Sequence, residues 1–283
     1  MSPYTLDDYS SELGVPRSDV ASRANKVSVK RLIARNFGRA AQSYDAAAVL
    51  QHRVAARAML GLPTNAVVNR VLDLGSGTGI HSVALAGRYA SALVTGLDLS
   101  MGMLQFAQRQ HSSCNRVRWC SGDIESLPFA SESIDLIFSS LAIQWCNLER
   151  VLDEVSRVLK PGGQFVFSTL SDGSLHELNA SWTQAGESGR VNQFAEFEKQ
   201  QEIIHRSGMS LNSMSLQTEV VYYPDVITML RSLKALGVNT VLEGTPSLLT
   251  RRKLDVLKDI YESLRELSGL PLTYQVVYGT LIK

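Results

Sequence analysis

Little in this chain settles a function class at first sight. Only three cysteines occur in 283 residues, Cys114, Cys120 and Cys146. They form no CxxC, and an odd count suits no disulfide framework, so a reducing compartment is expected. No apolar run nears the roughly 20 residues of a membrane span. The polar, acidic opening MSPYTLDDYSSELG has no apolar stretch of the signal-peptide kind. A soluble cytoplasmic protein without a membrane partner follows as the expectation. Charge of one sign is also missing: 28 basic against 27 acidic side chains leave +1, which argues against a dedicated nucleic-acid binder. No Gly-Lys-Ser or Gly-Lys-Thr follows a glycine loop, so a P-loop is excluded.

What is present is an ordinary globular composition, 45% apolar and 19% charged. The length suffices for one large domain, or one domain with an appended subdomain. Neutrality hides a local excess. Between positions 26 and 57 stand Lys26, Lys30, Arg31, Arg35, Arg39, Arg53 and Arg57 against the single acid Asp45.

Residues 1–25 hold few large apolar side chains and are expected to be a disordered N-terminus. From Ser28 a helical period begins, with Val29, Leu32, Ile33, Phe37, Ala40 and Tyr44 on one face. A second helix over 46–60 stops at Gly61 and Pro63. Strands at 69–74, 92–98, 116–120, 133–139 and 163–169 then alternate with helices near 79–89, 101–111 and 148–159. Asn147 is the N-cap of the last helix, and Lys160-Pro161-Gly162-Gly163 is the turn that stops it. The alternation predicts an α/β fold with a doubly wound, mostly parallel sheet. A helix at 193–206 and a strand near 214–223 follow, and a strand at 272–282 closes the chain. The 224–271 segment between those strands is far longer than a hairpin turn needs and reads as a helical cap. Gly237 is its first helix stop, and Thr245-Pro246 opens its second helix. The expected divisions are therefore 1–25, a main domain of 26–223 plus 272–283, and the 224–271 insertion.

The strongest motif is VLDLGSGTG at 71–79, which follows a strand and opens a helix, as a nucleotide-binding loop does. Gly75, Gly77 and Gly79 allow a tight turn and close approach to a ligand. Their spacing is GxGxG, not the GxGxxG of dinucleotide folds. Asp73, two residues before the first glycine, disfavours a pyrophosphate and favours a cation such as S-adenosylmethionine. Asp98, at the end of the second strand, is placed to accept both ribose hydroxyls; capping the helix at Ser100 is its competing role. Asp123 suits the adenine amino group, with Ile124 against the ring, an ordinary loop aspartate being the alternative. His81, His111 and His205 read as helix or surface histidines.

VLDLGSGTG, GLDLS, SGDIESLPF and RVLKPGG, in this order over about 70–170, resemble the class I S-adenosylmethionine-dependent methyltransferases. That resemblance implies a Rossmann-like seven-stranded sheet of order 3-2-1-4-5-7-6 with the last strand antiparallel. The cofactor set it implies is Asp73, Gly75, Ser76, Gly77, Gly79, Asp98, Leu99, Asp123, Ile124 and Ser139, with S-adenosylhomocysteine as product and no metal. Outside that core, NFGRAAQSYD, LAIQWC, STL with GSLHEL, LRSLK, GVN and LPLTYQVVYG resemble the malonyl-acyl-carrier-protein O-methyltransferases of biotin synthesis.

The narrower resemblance implies methyl transfer to the free carboxylate of a malonyl thioester on acyl carrier protein, or on coenzyme A, to start pimeloyl synthesis for biotin. A carboxylate is ionised at pH 7, so no essential acid–base residue is expected; alignment and water exclusion suffice. Tyr44, Gln144 and Trp145 are the expected positioning residues around the methyl group. Arg231, Lys234 and His176 are the candidates for substrate, and Arg35 and Arg39 for the acidic carrier, which a monomer would bind. Methylation of a free small carboxylic acid or quinone precursor, and a non-catalytic cofactor-binding module, are the competing functions.

Overall fold

The computed structural model describes residues 17–64, 66–236 and 250–283, with side chains described from Val29 onward. Helix α1 (Arg17–Ala47) begins ahead of the start expected at Ser28, so the chain is helical over the second part of the expected disordered segment. Residues 1–16 lie outside the described residues. After Ala48 the chain continues as α2 (Val49–Ala58) and a 3-10 turn, Met59–Gly61.

The alternation then runs as expected: β1 (Arg70–Leu74), α3 (Ile80–Arg88), β2 (Leu93–Asp98), α4 (Met101–Gln110), β3 (Val117–Ser121), β4 (Ile134–Ser140), α5 (Leu148–Val158) and β5 (Leu159–Leu170). Helices α6 (His176–Gln184) and α7 (Phe197–Arg206) precede β6 (Ser210–Tyr223). The cap follows as α8 (Val226–Ala235) and α9 (Arg251–Glu262), and β7 (Leu270–Ile282) ends the chain. The sheet order is β3-β2-β1-β4-β5-β7-β6, with β7 antiparallel to both β5 and β6.

The pleat sends alternate side chains to opposite faces. Ile137, Phe165 and Phe167 pack with Val151, Leu152, Val155 and Val158 of α5. Leu136, Phe138 and Val166 pack with Ala55 and Ala58 of α2 and Leu85 of α3 on the other side. Each buried aliphatic of α5 contributes about 1.5–3 kcal/mol. Asn147 caps that helix, its side chain accepting from Arg150 N at 3.0 Å.

Two local expectations change. Lys160-Pro161-Gly162-Gly163 does not form a separate turn: α5 ends at Val158 and β5 already starts at Leu159. The register shifts from Ile134↔Leu159 to Leu136↔Gln164, so the tetrapeptide bulges out of the strand. In the cap, Thr250 is the N-cap of α9, accepting from Lys253 N; Gly237, Val238, Asn239, Thr245 and Pro246 lie outside the described residues. The cap packs through Met229, Leu233, Leu257 and Tyr261 onto α6 and the start of β7. Tyr261 donates its hydroxyl to Pro271 O at 2.7 Å.

Helix α1 crosses α4 almost backbone to backbone. A Cβ on Gly102 would stand 2.7 Å from Gly38 Cα. This close crossing brings α1 over the carboxyl edge of the sheet.

Candidate active site

The loop after β1 is held by β2. Gly75 N and Ser76 N both donate to Leu97 O, at 2.8 and 3.0 Å. Asp98 then ties the loop to the next helix: its Oδ2 accepts from Gly77 N at 2.8 Å and its Oδ1 from Ser100 N at 2.7 Å. Gly77 has φ +54°, and a Cβ there would meet nothing within 4 Å, so the backbone faces open space. At Gly75 (φ +72°) a Cβ would lie 2.3 Å from Ala142 Cβ. The loop thus needs glycine for conformation at one position and for both conformation and room at the other.

A cavity lies between this loop and α1. Asp98 and Leu99 form one wall, and Asp123 and Ile124, after β3, form another. Phe37 and Tyr44 descend from α1 and Trp145 from the 3-10 turn Ile143–Trp145. The Phe37 ring meets Trp145 edge-on at 5.8 Å and Tyr44 at 6.3 Å. A smaller cavity adjoins the other side of the glycine loop and is lined by Asp45, Gln51, Ser76 and His81 among others.

The electrostatics are acidic. Burial raises the Asp98 carboxyl above its ordinary range, although the backbone N–H groups oppose this. Burial also holds the Tyr44 phenol well above its ordinary value, with Asp98 and Asp45 adding to the shift. The Cys146 thiol, on the larger cavity's wall, is pushed up to about 12 by burial, so it carries no thiolate at neutral pH. Lys30 is the one lysine or arginine lining either cavity among the described residues. Burial works against its charge, but hydrogen bonds to Asp123 and Glu125 hold its pKa above the ordinary value.

Most of the expected cofactor set converges here: Gly75, Gly77, Asp98, Leu99, Asp123 and Ile124 line the larger cavity with Tyr44 and Trp145. Ser76 lines the smaller one. Others do not. Ser139 is fully buried and donates to Leu74 O at 3.0 Å; Ser140, one residue on, reaches both cavities. Asp73 lies beneath the loop, accepts Ser82 Oγ at 2.5 Å and lines neither cavity. Gly79 is a packing position, where a Cβ would stand 2.3 Å from the Trp119 ring.

Gln144 turns back, its Nε2 donating to Leu141 O at 2.7 Å, and lines neither cavity. Arg231, Lys234 and His176 are exposed and line neither. Arg35 and Arg39 are exposed on α1. His81, expected as an ordinary helix histidine, faces the smaller cavity. Lys30, Asp45, Gln51 and Ser140 were not singled out as site residues. Asp45 carried a signal, as the lone acid of a basic stretch directly after Tyr44. Among the described residues no cluster of three or more His, Cys, Asp or Glu is placed to hold a metal, and no helix is long and apolar enough to cross a membrane.

A glycine loop flanked by carboxylates, beneath aromatic side chains, does not by itself name a family. Residues 72–167 match the family described as "Methyltransferase domain". The YcgJ protein from Bacillus subtilis superposes with a TM-score of 0.58 at 18% identity, over 82% of this chain and 98% of that one, which supports the fold. The malonyl-acyl-carrier-protein O-methyltransferase of Pectobacterium atrosepticum is 40% identical over 90% of this chain and 97% of its own length. The biotin biosynthesis bifunctional protein BioHC of Cellvibrio japonicus is also 40% identical over 90% of this chain, which spans 50% of that longer protein. Identity at that level, running nearly end to end through one single-function relative and beyond the cofactor core into α1 and the cap, assigns the chain to the malonyl-acyl-carrier-protein O-methyltransferase family.

Proposed function

We propose that the protein transfers a methyl group from S-adenosylmethionine to the free carboxylate of a malonyl group held as a thioester on acyl carrier protein. The observation that carries this reading is the 40% identity to a relative of that name over 97% of the relative's length. The cavity supports the donor: three carboxylates, Asp45, Asp98 and Asp123, stand at its two compartments, which suits a ligand with a sulfonium and an ammonium and no phosphate.

When bound, S-adenosylmethionine supplies an electrophilic methyl group on sulfur. Asp98 is the ribose acceptor in this reading, since its oxygens have lone pairs beyond those given to Gly77 N and Ser100 N. Asp123 takes the adenine amino group, with Ile124 and Leu99 against the ring. Tyr44 and Trp145 present aromatic faces near the sulfonium and exclude water. The malonyl carboxylate is already ionised and needs no base, so the chain's part is alignment of nucleophile and methyl group. Arg231, Lys234 and His176 line neither cavity and fit contacts to the carrier better than to the malonyl carboxylate. Helix α8 abuts α1, where Ser43 Oγ donates to Ala235 O at 3.5 Å, so their basic groups lie on adjoining elements. The ester product has lost a negative charge and can enter apolar chain-elongation sites.

The test is transfer of labelled methyl to malonyl groups on carrier protein, on coenzyme A and as free malonate. Label on the carrier substrate is expected in preference to the others. Label on none of the three overturns the reading, and preference for free malonate overturns its carrier part.

A further inference from the structure

We infer that Gln144 is a positioning residue for the methyl transfer: it clamps Leu141 in a left-handed conformation and so fixes the wall, Ser140 to Ala142, against which the methyl acceptor is aligned. This rests on the proposed reading of the larger cavity as the site of transfer. Three non-glycine residues among those described have positive φ: Glu132, Leu141 and Leu175. Of these only Leu141 lines a cavity. At φ +49° its Cβ meets the crowding that keeps most residues other than glycine, asparagine and aspartate out of that region. Such a conformation persists where the surroundings over-determine it, and such residues gather at functional sites.

The surroundings hold Leu141 from three sides. Its N–H donates to Ser168 O at 3.0 Å, its carbonyl accepts from Gln144 Nε2 at 2.7 Å, and its side chain packs against the core beneath the cap. Ser168 is fully buried in β5, and its Oγ lies 3.0 Å from Ser140 Oγ. One residue of β5 therefore fixes two neighbours at the end of β4, and Gln144 closes the clamp from the 3-10 turn. Gln144 spends its amide on this contact: its Oε1 is buried without a hydrogen-bond partner among the described residues. A buried acceptor left unpaired is costly, and the bond to Leu141 O is what offsets it.

The strand order gives the clamp its place. β4 lies across β1 from β2 and β3. Asp98 ends β2 and Asp123 follows β3, so Ser140, Leu141 and Ala142 wall the end of the cavity away from the proposed adenosyl contacts. A shift of Leu141 would move this wall and leave Asp98, held by Gly77 N and Ser100 N, where it is. Misplacing reacting atoms by about 1 Å costs up to about a hundredfold in rate. The clamp should therefore act on turnover and not on donor affinity.

The test is a double-mutant cycle on the full chain, read by labelled methyl transfer to malonyl-carrier protein and by calorimetry with S-adenosylhomocysteine. Gln144→Met keeps the side-chain length and loses the donor. It should lower kcat about tenfold or more, with KM for the carrier substrate and S-adenosylhomocysteine affinity each within about twofold. Asparagine takes the left-handed region readily, so in a Leu141→Asn background the same change at Gln144 should cost less than about twofold in kcat. Leu141→Gly gives an equivalent background, should the asparagine variant not fold. Equal loss in both backgrounds would mean that Gln144 acts on the acceptor directly. An equal fall in kcat and in S-adenosylhomocysteine affinity would mean a structural role. Either result overturns the inference, as does wild-type kcat in Gln144→Met. With the wild-type protein active these results sink the clamp alone; no transfer by the wild-type protein to any malonyl substrate sinks the reading on which it rests.

Discussion

Lys30 Nζ lies 2.7 Å from Asp123 Oδ2 and 3.0 Å from Glu125 Oε1, so α1 is clasped to the loop that follows β3. Both partners are partly shielded, and Glu125 also accepts from Asn147 N at 2.9 Å. The clasp therefore links α1, the adenine end of the proposed site and the start of α5.

Removing the lysine should loosen the lid without unfolding the sheet. Lys30→Met is expected to raise the dissociation constant for S-adenosylhomocysteine about three- to tenfold, between the effects of exposed and buried pairs. Amide exchange along α1 should quicken in the same variant. The pair raises the folded-state pKa of Lys30 above 10.5, so its stabilisation is complete below that value and fades as pH rises through the folded one. The difference between wild type and Lys30→Met should accordingly be flat from pH 6 to 9; a steep change in that window would assign the effect to another group.

Asp98 serves two backbone donors and, in the proposed reading, two ribose hydroxyls. Asp98→Asn keeps one acceptor oxygen where the structure uses two, so either Gly77 N or Ser100 N is orphaned. A cost of about 1–3 kcal/mol in stability follows, with at least about a hundredfold loss of S-adenosylhomocysteine affinity if the ribose contact is lost as well. Thermal melts and calorimetry separate the two. A stability loss with unchanged affinity would leave Asp98 only as the tie between the glycine loop and Ser100.

Asp73 makes stability depend on pH. Burial raises its carboxyl to about 7, against the pull of the Ser82 hydrogen bond. Between its ordinary value near 4 and about 7 the folded state holds the proton more tightly than the unfolded chain. Stability from this group should fall as pH rises through that window, by at most about 1.4 kcal/mol per pH unit. Asp73→Asn should flatten that stretch of a denaturation profile taken at pH 4.5, 5.5 and 6.5. A wild-type profile that rises there, with no change in the variant, would contradict the assignment.

The parts of the fold legible in the sequence were those with local punctuation. The glycine loop, Asp98 two residues before the α4 N-cap Ser100, and Asn147 before α5 each mark a strand-to-helix junction by residue type alone. Ser139, which the family resemblance implies for the cofactor, lines neither cavity, and Ser140 reaches both; β4 is buried on both faces, and a continuous apolar run has no alternation to tell the two apart. Ile137 faces α5 and Phe138 faces α2, so Ser139 points under the sheet and Ser140 into the site. Lys30 was invisible for another reason: its partners are Asp123 and Glu125, distant in sequence, and no helical period reports them. Gln144 looked available until the chain's turn brought Leu141 O within its reach.

Among the described side chains the basic stretch divides into two populations, and the division predicts where a carrier docks. Lys30 is satisfied by Asp123 and Glu125, and Arg53 and Arg57 face Glu219 at 2.9 and 3.8 Å. Arg31, Arg35 and Arg39 stand four apart on α1, all exposed, with no ion pair among the described residues. That spacing places them on one helix face, on the element that roofs the proposed site. Exposed rim charges act mainly on encounter rate and on its salt dependence. The double variant Arg35→Glu, Arg39→Glu should therefore lower kcat/KM on malonyl-carrier protein about tenfold at low salt, with the gap to wild type closing as ionic strength passes roughly 0.15 M. On malonyl-coenzyme A the same variant should stay within about twofold of wild type, because docking of the carrier is the step removed. Equal loss on both substrates would assign the stripe to the fold of α1, and no loss on either would leave the docking face to be sought on α8.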